Sequence, residues 1–197
     1  QLTADVLPQA LGNASLSVYT SQLPQMSIVL LNLNNNEVKF LQNANVRRAL
    51  LLGLNRGYIV SSILQGEAII ADGPIMPGSW AHYDGLERIG YDPEGAVSLL
   101  KGEGYVIPAT GGIVRSKDNE ALNFSLVHPD DPLHTQIAQA IQQEWAQIGV
   151  QVNLQPVPYN QMIPTYLGPR SYQAALADLN LARTPDPDPY PFWHQAE

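Results

Sequence analysis

The stretch from Leu122 to Leu154 constrains this chain more than any other part of its sequence. Leu122 to Val127 alternates well enough for a strand, and Asp131-Pro132 then opens a helix. Ile137, Ala140, Ile141, Trp145 and Ile148 fall along one face of that helix. Gly149 closes it, and Val150 to Leu154 is strand-like again. A strand, an amphipathic helix and a second strand in direct succession point to an α/β domain with a mixed or parallel sheet.

The rest of the chain extends the pattern. Val6 to Leu11 reads as a short helix end, and Ser15 to Thr20 and Met26 to Leu33 as strands. Asn34, Asn35 and Asn36 mark a turn. Val46 to Gln65 is expected as one long helix, with Asn45 as its N-cap and Gly66 as its stop. Arg47, Arg48 and Arg56 are expected on its solvated side. Ala71 to Asp84 is a Gly- and Pro-rich loop carrying Trp80, His82 and Tyr83. Asp92-Pro93-Glu94 opens another helix, which Gly102 and Gly104 end. Gly111 to Asn119 reads as a polar turn between two short strands. Asn160 to Leu167 reads as a short helix and Tyr172 to Leu179 as a strand.

Composition narrows the function. The 197 residues are enough for a sizeable core, and the net charge of −8 works against a nucleic-acid partner. The absence of cysteine excludes a disulfide scaffold, a thiolate zinc site and a thiol nucleophile. No apolar run approaches the roughly 20 residues of a membrane span. No basic segment followed by an apolar one opens the chain, which reads as a piece of a longer protein.

No catalytic constellation emerges. There is no G-x-S-x-G elbow and no phosphate-binding glycine loop; Gly102-Glu103-Gly104 follows a helix, so it cannot serve as a dinucleotide turn. His128 and His134 flank Asp130 and Asp131, but their spacing matches no standard zinc pattern. A polar loop at a helix N-terminus is the expected reading there, with no metal and no cofactor. Asp186-Pro187-Asp188 has no partner acid at a defined separation, so it gives no support to acid–base catalysis.

Several segments in order carry a resemblance. Leu31-Asn32-Leu33-Asn34, then Phe40, then Asn45-Val46-Arg47-Arg48-Ala49-Leu50 match an apolar strand ending in Asn, a Phe and a V-R-x-A-[LI] helix. Asn55-Arg56-Gly57-Tyr58-Ile59-Val60 matches a D-R-x-x-[IL]-[VI] stretch, with Asn for Asp. Gly73-Pro74-Ile75-Met76-Pro77, Tyr91-Asp92-Pro93-Glu94, the run from Ile137 to Leu154, and Pro185-Asp186-Pro187-Asp188 follow in the expected sequence. The chain thereby resembles the peptide/oligopeptide class (family 5) of ABC-transporter solute-binding proteins.

That resemblance implies one lobe of a two-lobed periplasmic-binding-protein-like fold, with a mixed sheet flanked by helices. Residues 1–197 correspond to the second, C-terminal lobe, and the first lobe is missing from this chain. It implies a non-catalytic protein that captures an oligopeptide or other small molecule and delivers it to a membrane permease of an ABC importer. The setting is periplasmic or extracellular, with a lipid anchor as one arrangement. A sensing lobe that binds a sugar or organic anion, and a non-catalytic part of a larger enzyme, are the alternatives.

By position, two loops match the family's ligand contacts. The first holds His128 and Asp130, where a helix N-terminus favours anions unless the acids themselves cap it. The second runs from Asn180 to Asp186. Peptide-binding members carry a Trp at the Asn180 position and, at the Arg183 position, an Asp that pairs with the ligand's α-amino group. Arg183 repels an ammonium and suits a carboxylate, a phosphate or a sugar hydroxyl. Equally, it points to solvent or pairs with a neighbour such as Asp178. Trp80 either stacks on ligand or is a half-buried core residue.

Overall fold

The computed structural model describes residues 6–19, 23–109 and 111–180. Its elements run, in chain order, α1 (Leu7–Leu11), β1 (Gln25–Leu31), α2 (Ala44–Leu52), α3 (Arg56–Tyr58) and α4 (Pro93–Gly102). Next come the short strands β2 (Ser116–Lys117) and β3 (Glu120–Ala121), then β4 (Asn123–Pro129), α5 (Pro132–Gln147), β5 (Gln151–Val157), α6 (Tyr159–Gln161) and β6 (Ala174–Asn180). A 3-10 segment (Asn36–Gln42) leads into α2. Single π-helical turns (Ile59–Ile63 and Met162–Leu167) extend α3 and α6.

The main sheet has the strand order β1-β6-β4-β5. β4 runs parallel to both β5 and β6, while β1 is antiparallel to β6, so the sheet is mixed. Side chains of a strand alternate between faces, and both faces are covered. Phe124, Leu126, Ala174 and Leu176 join the large core built with α2, α4 and α5. Val127, Ala175 and Ala177 point the other way and pack with Val157 and Met162. Trp145 of α5 anchors the large core. Its ring centroid lies 5.6 Å from that of Phe124, and its Nε1–H donates to Leu50 O of α2 at 2.8 Å.

Local signals set the helix ends. Asp131 caps α5 by accepting from the N–H groups of Leu133 and His134 at 3.0 and 3.1 Å. Asp92 caps α4 through Gly95 N–H at 2.8 Å. Gly149 follows α5 with φ +85°, where a Cβ would also meet Arg115 at 2.6 Å. Arg115 itself is buried and donates to Ile148 O at 2.9 Å, placing a cation where the α5 dipole favours one.

The expected elements change in several places. The helix expected over Val46 to Gln65 is broken after Leu52. Gly53 is in contact with Ile148, whose Cδ1 would lie 2.7 Å from any Cβ there, so close packing against the end of α5 takes precedence over helix continuity. Asn55 then caps the next turn by accepting from Tyr58 N–H at 2.9 Å. The first cap is Asn43, which accepts from Asn45 and Val46, while the Asn45 side chain donates to Glu103. The strand expected from Ser15 is absent over residues 15–19, where Asn13 Oδ1 instead draws in the Ser15 N–H at 3.0 Å. The turn expected over Gly111 to Asn119 tightens to Asp118-Asn119, both at positive φ, between β2 and β3.

Arg47 and Arg56 are not simply solvated. Arg47 donates to Leu41 O and Gln42 O at 2.9 and 2.8 Å. Arg56 reaches Ala71 O at 3.0 Å, Asp72 Oδ1 at 3.2 Å and Ile89 O at 2.6 Å, and so holds both ends of the long loop between α3 and α4. Arg48 does lie on the exposed side, paired with Glu87 at 3.1 Å.

Candidate functional site

Strand direction defines the site. β4, β5 and β6 are parallel, so their carboxyl ends share one edge of the sheet, and the start of antiparallel β1 lies there too: Gln25 pairs with Asn180. In open α/β sheets the crevice outside the carboxyl ends of the strands is where ligands bind. Asp130 N–H donates to Val157 O at 2.9 Å, joining the β4–α5 loop to the end of β5.

The residues expected to contact ligand divide between this edge and other regions. Asp130 is exposed on the edge, and its carboxylate makes no hydrogen bond or ion pair among the described residues. Capping of α5 falls to Asp131 alone, so the helix N-terminus already holds an anion. His128 lies one residue before the end of β4, 1% exposed, with Nδ1 2.7 Å from Pro129 O; it sits beneath the edge. Asn180 ends β6 on the edge and is exposed. Arg183 and Asp186 lie outside the described residues. Trp80 is 82% exposed, so it is not the half-buried core residue of the alternative reading. It belongs to the loop held by Arg56. Next to Arg56, Asn55 N–H is bonded to Glu144 near the end of α5, whereas α5 starts at the edge.

One polar cluster on the edge escaped the sequence reading. Asp178 of β6 is directly opposite Ser27 of β1. It accepts from Ser27 Oγ at 2.5 Å and from Gln25 Nε2 at 2.8 Å. His134 of α5 completes the group, with Nδ1 2.6 Å from Asp131 Oδ2 and Nε2 3.2 Å from Asp178 Oδ2. The His134 and Asp178 side chains are only 10% and 11% exposed. Asp178 therefore already has partners, whatever Arg183 contacts.

Electrostatics follow the geometry. The hydrogen bond to Asp178 holds the His134 pKa above its ordinary value; burial opposes this, and the charges of Asp178 and Asp131 reinforce it. Burial pushes the Asp178 carboxyl up, but the bonds from His134 and Ser27 outweigh it and the pKa falls below the usual range. Asp131 is likewise raised by burial and, on balance, lowered by the N–H and side chain of His134. Among the described residues no group of three or more His, Asp or Glu side chains is arranged to hold a metal ion.

A cavity of about 580 Å³ lies away from this edge, between Val60 and the long loop, with Arg56, Asp72, Leu86 and Arg88 in its wall. One of its two arginines, Arg56, is engaged in holding the loop. The strand-end rule places the candidate site on the sheet edge instead.

Over residues 1–196 the chain matches the bacterial extracellular solute-binding proteins, family 5 Middle. It belongs to that family. Among family relatives, the dipeptide-binding protein of Escherichia coli (strain K12) is 28% identical over 138 residues, which is 70% of this chain and 24% of that protein. The nickel-binding periplasmic protein of the same organism is 33% identical over 138 residues, 69% of this chain and 26% of that protein. The solved structure of the oligopeptide-binding protein AppA from Bacillus subtilis, in complex with a nonapeptide, superposes with a TM-score of 0.83. It is 24% identical and covers 98% of this chain and 38% of AppA, a likeness of fold. The chain spans about a quarter of the length of the curated relatives it matches.

Proposed function

We propose that this chain is the C-terminal lobe of the substrate-binding component of an ABC importer. It works outside the cytoplasm, free or lipid-tethered, and captures peptides or related small solutes for a membrane permease. The first lobe of the same protein supplies the other wall of the cleft. The protein acts by binding rather than by catalysis.

The observation that carries this reading is the exposed carboxylate of Asp130, unpaired among the described residues, on the carboxyl edge of a family 5 lobe. The helix dipole beside it is already satisfied by Asp131, so the edge favours a cationic group such as a peptide's ammonium. In this reading Asp130 takes over the amine site that peptide-binding members assign to the Arg183 position. Asn180 lies at the same edge. A second reading rests on Arg183 itself: a guanidinium there suits the carboxylate of an organic anion or the hydroxyls of a sugar.

The test is thermal unfolding of the full-length two-lobed protein against di- and oligopeptides, oligosaccharides and organic anions. A ligand of the folded state adds about 2.7 kcal/mol of stability at a hundred times its dissociation constant. A rise in the midpoint with peptides, weakened by Asp130→Asn, supports the first reading. A rise with sugars or anions alone, abolished by Arg183→Ala, replaces it with the second.

A further inference from the structure

His134 stands out because both of its ring nitrogens face carboxylates. An ionised carboxylate only accepts hydrogen bonds, and a neutral imidazole has one N–H and one lone pair. Contacts of 2.6 Å from Nδ1 to Asp131 and 3.2 Å from Nε2 to Asp178 are both favourable only when the ring carries two protons. In a neutral ring one lone pair would face an anion in a largely buried place.

The two bonds join separate parts of the edge. Asp131 fixes the β4–α5 loop, where its neighbour Asp130 is bonded to Val157 O. Asp178 fixes the end of β6 two residues before Asn180, and through Ser27 and Gln25 it fixes the start of β1. We infer that His134 is a positioning residue, held as an imidazolium, that locks the ligand-facing edge into one geometry and couples ligand capture to a proton. This rests on the carboxyl edge being the ligand site.

Among the described residues the charged groups that bear on the ring are Asp131 from its own helix and Asp178 from β6. β1 contributes the neutral Ser27 and Gln25, and His128 of β4 is turned to its neighbouring carbonyl. With no second cation in the group among the described residues, loss of one His134 proton leaves one of the two carboxylates against a lone pair. The loop and the end of β6 then separate.

The decisive measurement is a pH titration of the full chain with ¹⁵N-labelled histidine, the His134 signals being assigned by their absence in His134→Gln. Both ring nitrogens of His134 are expected in the protonated position at pH 6, with a midpoint above that of free histidine. The backbone amides of Asp130 and Asn180 are expected to shift with the same midpoint, and Asp178→Asn to lower it. A singly protonated ring at pH 6 overturns the inference. So does a protonated ring whose titration leaves those amides unmoved, because that would be a structural ion pair alone. In the full-length protein, the dissociation constant for trialanine is expected to rise at least about fivefold across the same midpoint, the low end of a coupling between sites. Trialanine binding that ignores pH overturns the coupling. If trialanine fails to bind at any pH, the peptide reading falls, while the amide titration still decides the role of His134.

Discussion

The carboxyl edge of the sheet and the long loop between α3 and α4 are built in opposite ways. The edge is formed by strand ends in fixed register and by a capped helix, and its buried polar groups satisfy one another: His134 with Asp131 and Asp178, Asp178 with Ser27 and Gln25. The loop has no helix or strand between the π-helical turn and α4. It is held by Arg56, exposes Ile69, Trp80 and Tyr83, and buries Ser79 Oγ without a partner among the described residues. Regular structure can hold a side chain in one place without help, whereas a loop must be given its anchors singly. That difference makes the edge the more rigid of the two and the loop the more adaptable.

The comparison breaks most severely at a core residue shared by the sheet and the helix pair that leads to the loop. Trp145 packs on Phe124 under the sheet and bonds Leu50 O in the helix pair that leads to the loop. Trp145→Ala is expected to cost about 3–5 kcal/mol. It should lower the urea midpoint of the whole lobe as one transition, read by circular dichroism.

Asp178→Asn tests the edge alone. Removing one partner of a buried pair costs roughly 3–5 kcal/mol, and here Asp131 remains, so we expect about 2 kcal/mol. Its pH dependence is diagnostic. His134 has a raised folded pKa, so its contribution is complete below about pH 6.5 and is lost as pH rises through the folded value. Asp131 and Asp178 have lowered folded values, so theirs is complete above about pH 4 and is lost as pH falls through those values. The cluster therefore stabilises most between those limits. Urea midpoints at pH 5.5 and pH 8 should differ more in the wild type than in Asp178→Asn.

Arg56→Ala tests the loop alone. It releases Ala71 O, Asp72 and Ile89 O, and about 1–2 kcal/mol is expected. The signature is local: limited proteolysis should cut within residues 67–90 while the sheet stays folded. Protection of the loop in this variant would mean that the wall of the cavity, not the arginine, holds it.

What the sequence made legible follows the same division. Asp131-Pro132, Gly149 and Asp92-Pro93 act on neighbouring backbone, so the ends of α5 and α4 are written locally, and the alternation around them gives the mixed sheet and its helices. The break at Gly53 depends on Ile148, far along the chain, and no local signal announces it. Asp130 is visible as a loop acid before a helix. The Ser27–Asp178 pair spans 151 residues and exists only once the register of β1 on β6 is known. His134 shows the same limit: its bond to Asp131 is a helical i, i+3 relation, but its bond to Asp178 is tertiary. The sequence makes the edge's position legible and leaves its internal bonding hidden.

The smallest effect is expected at Trp80. At 82% exposure its ring contributes little burial to the lobe, so Trp80→Ala should leave the unfolding free energy within about 0.5 kcal/mol. That near-neutrality makes the variant informative in the full-length protein, where any change in ligand affinity must come from a contact and not from the fold. Aromatic rings exposed to this degree are common where a partner surface closes over them. A loss of affinity at unchanged stability would make Trp80 a stacking surface that reaches the ligand from the loop, and the loop would become a second wall of the site. Unchanged affinity would confine ligand contact to the edge, with Asp130 and Asn180 as its residues to test.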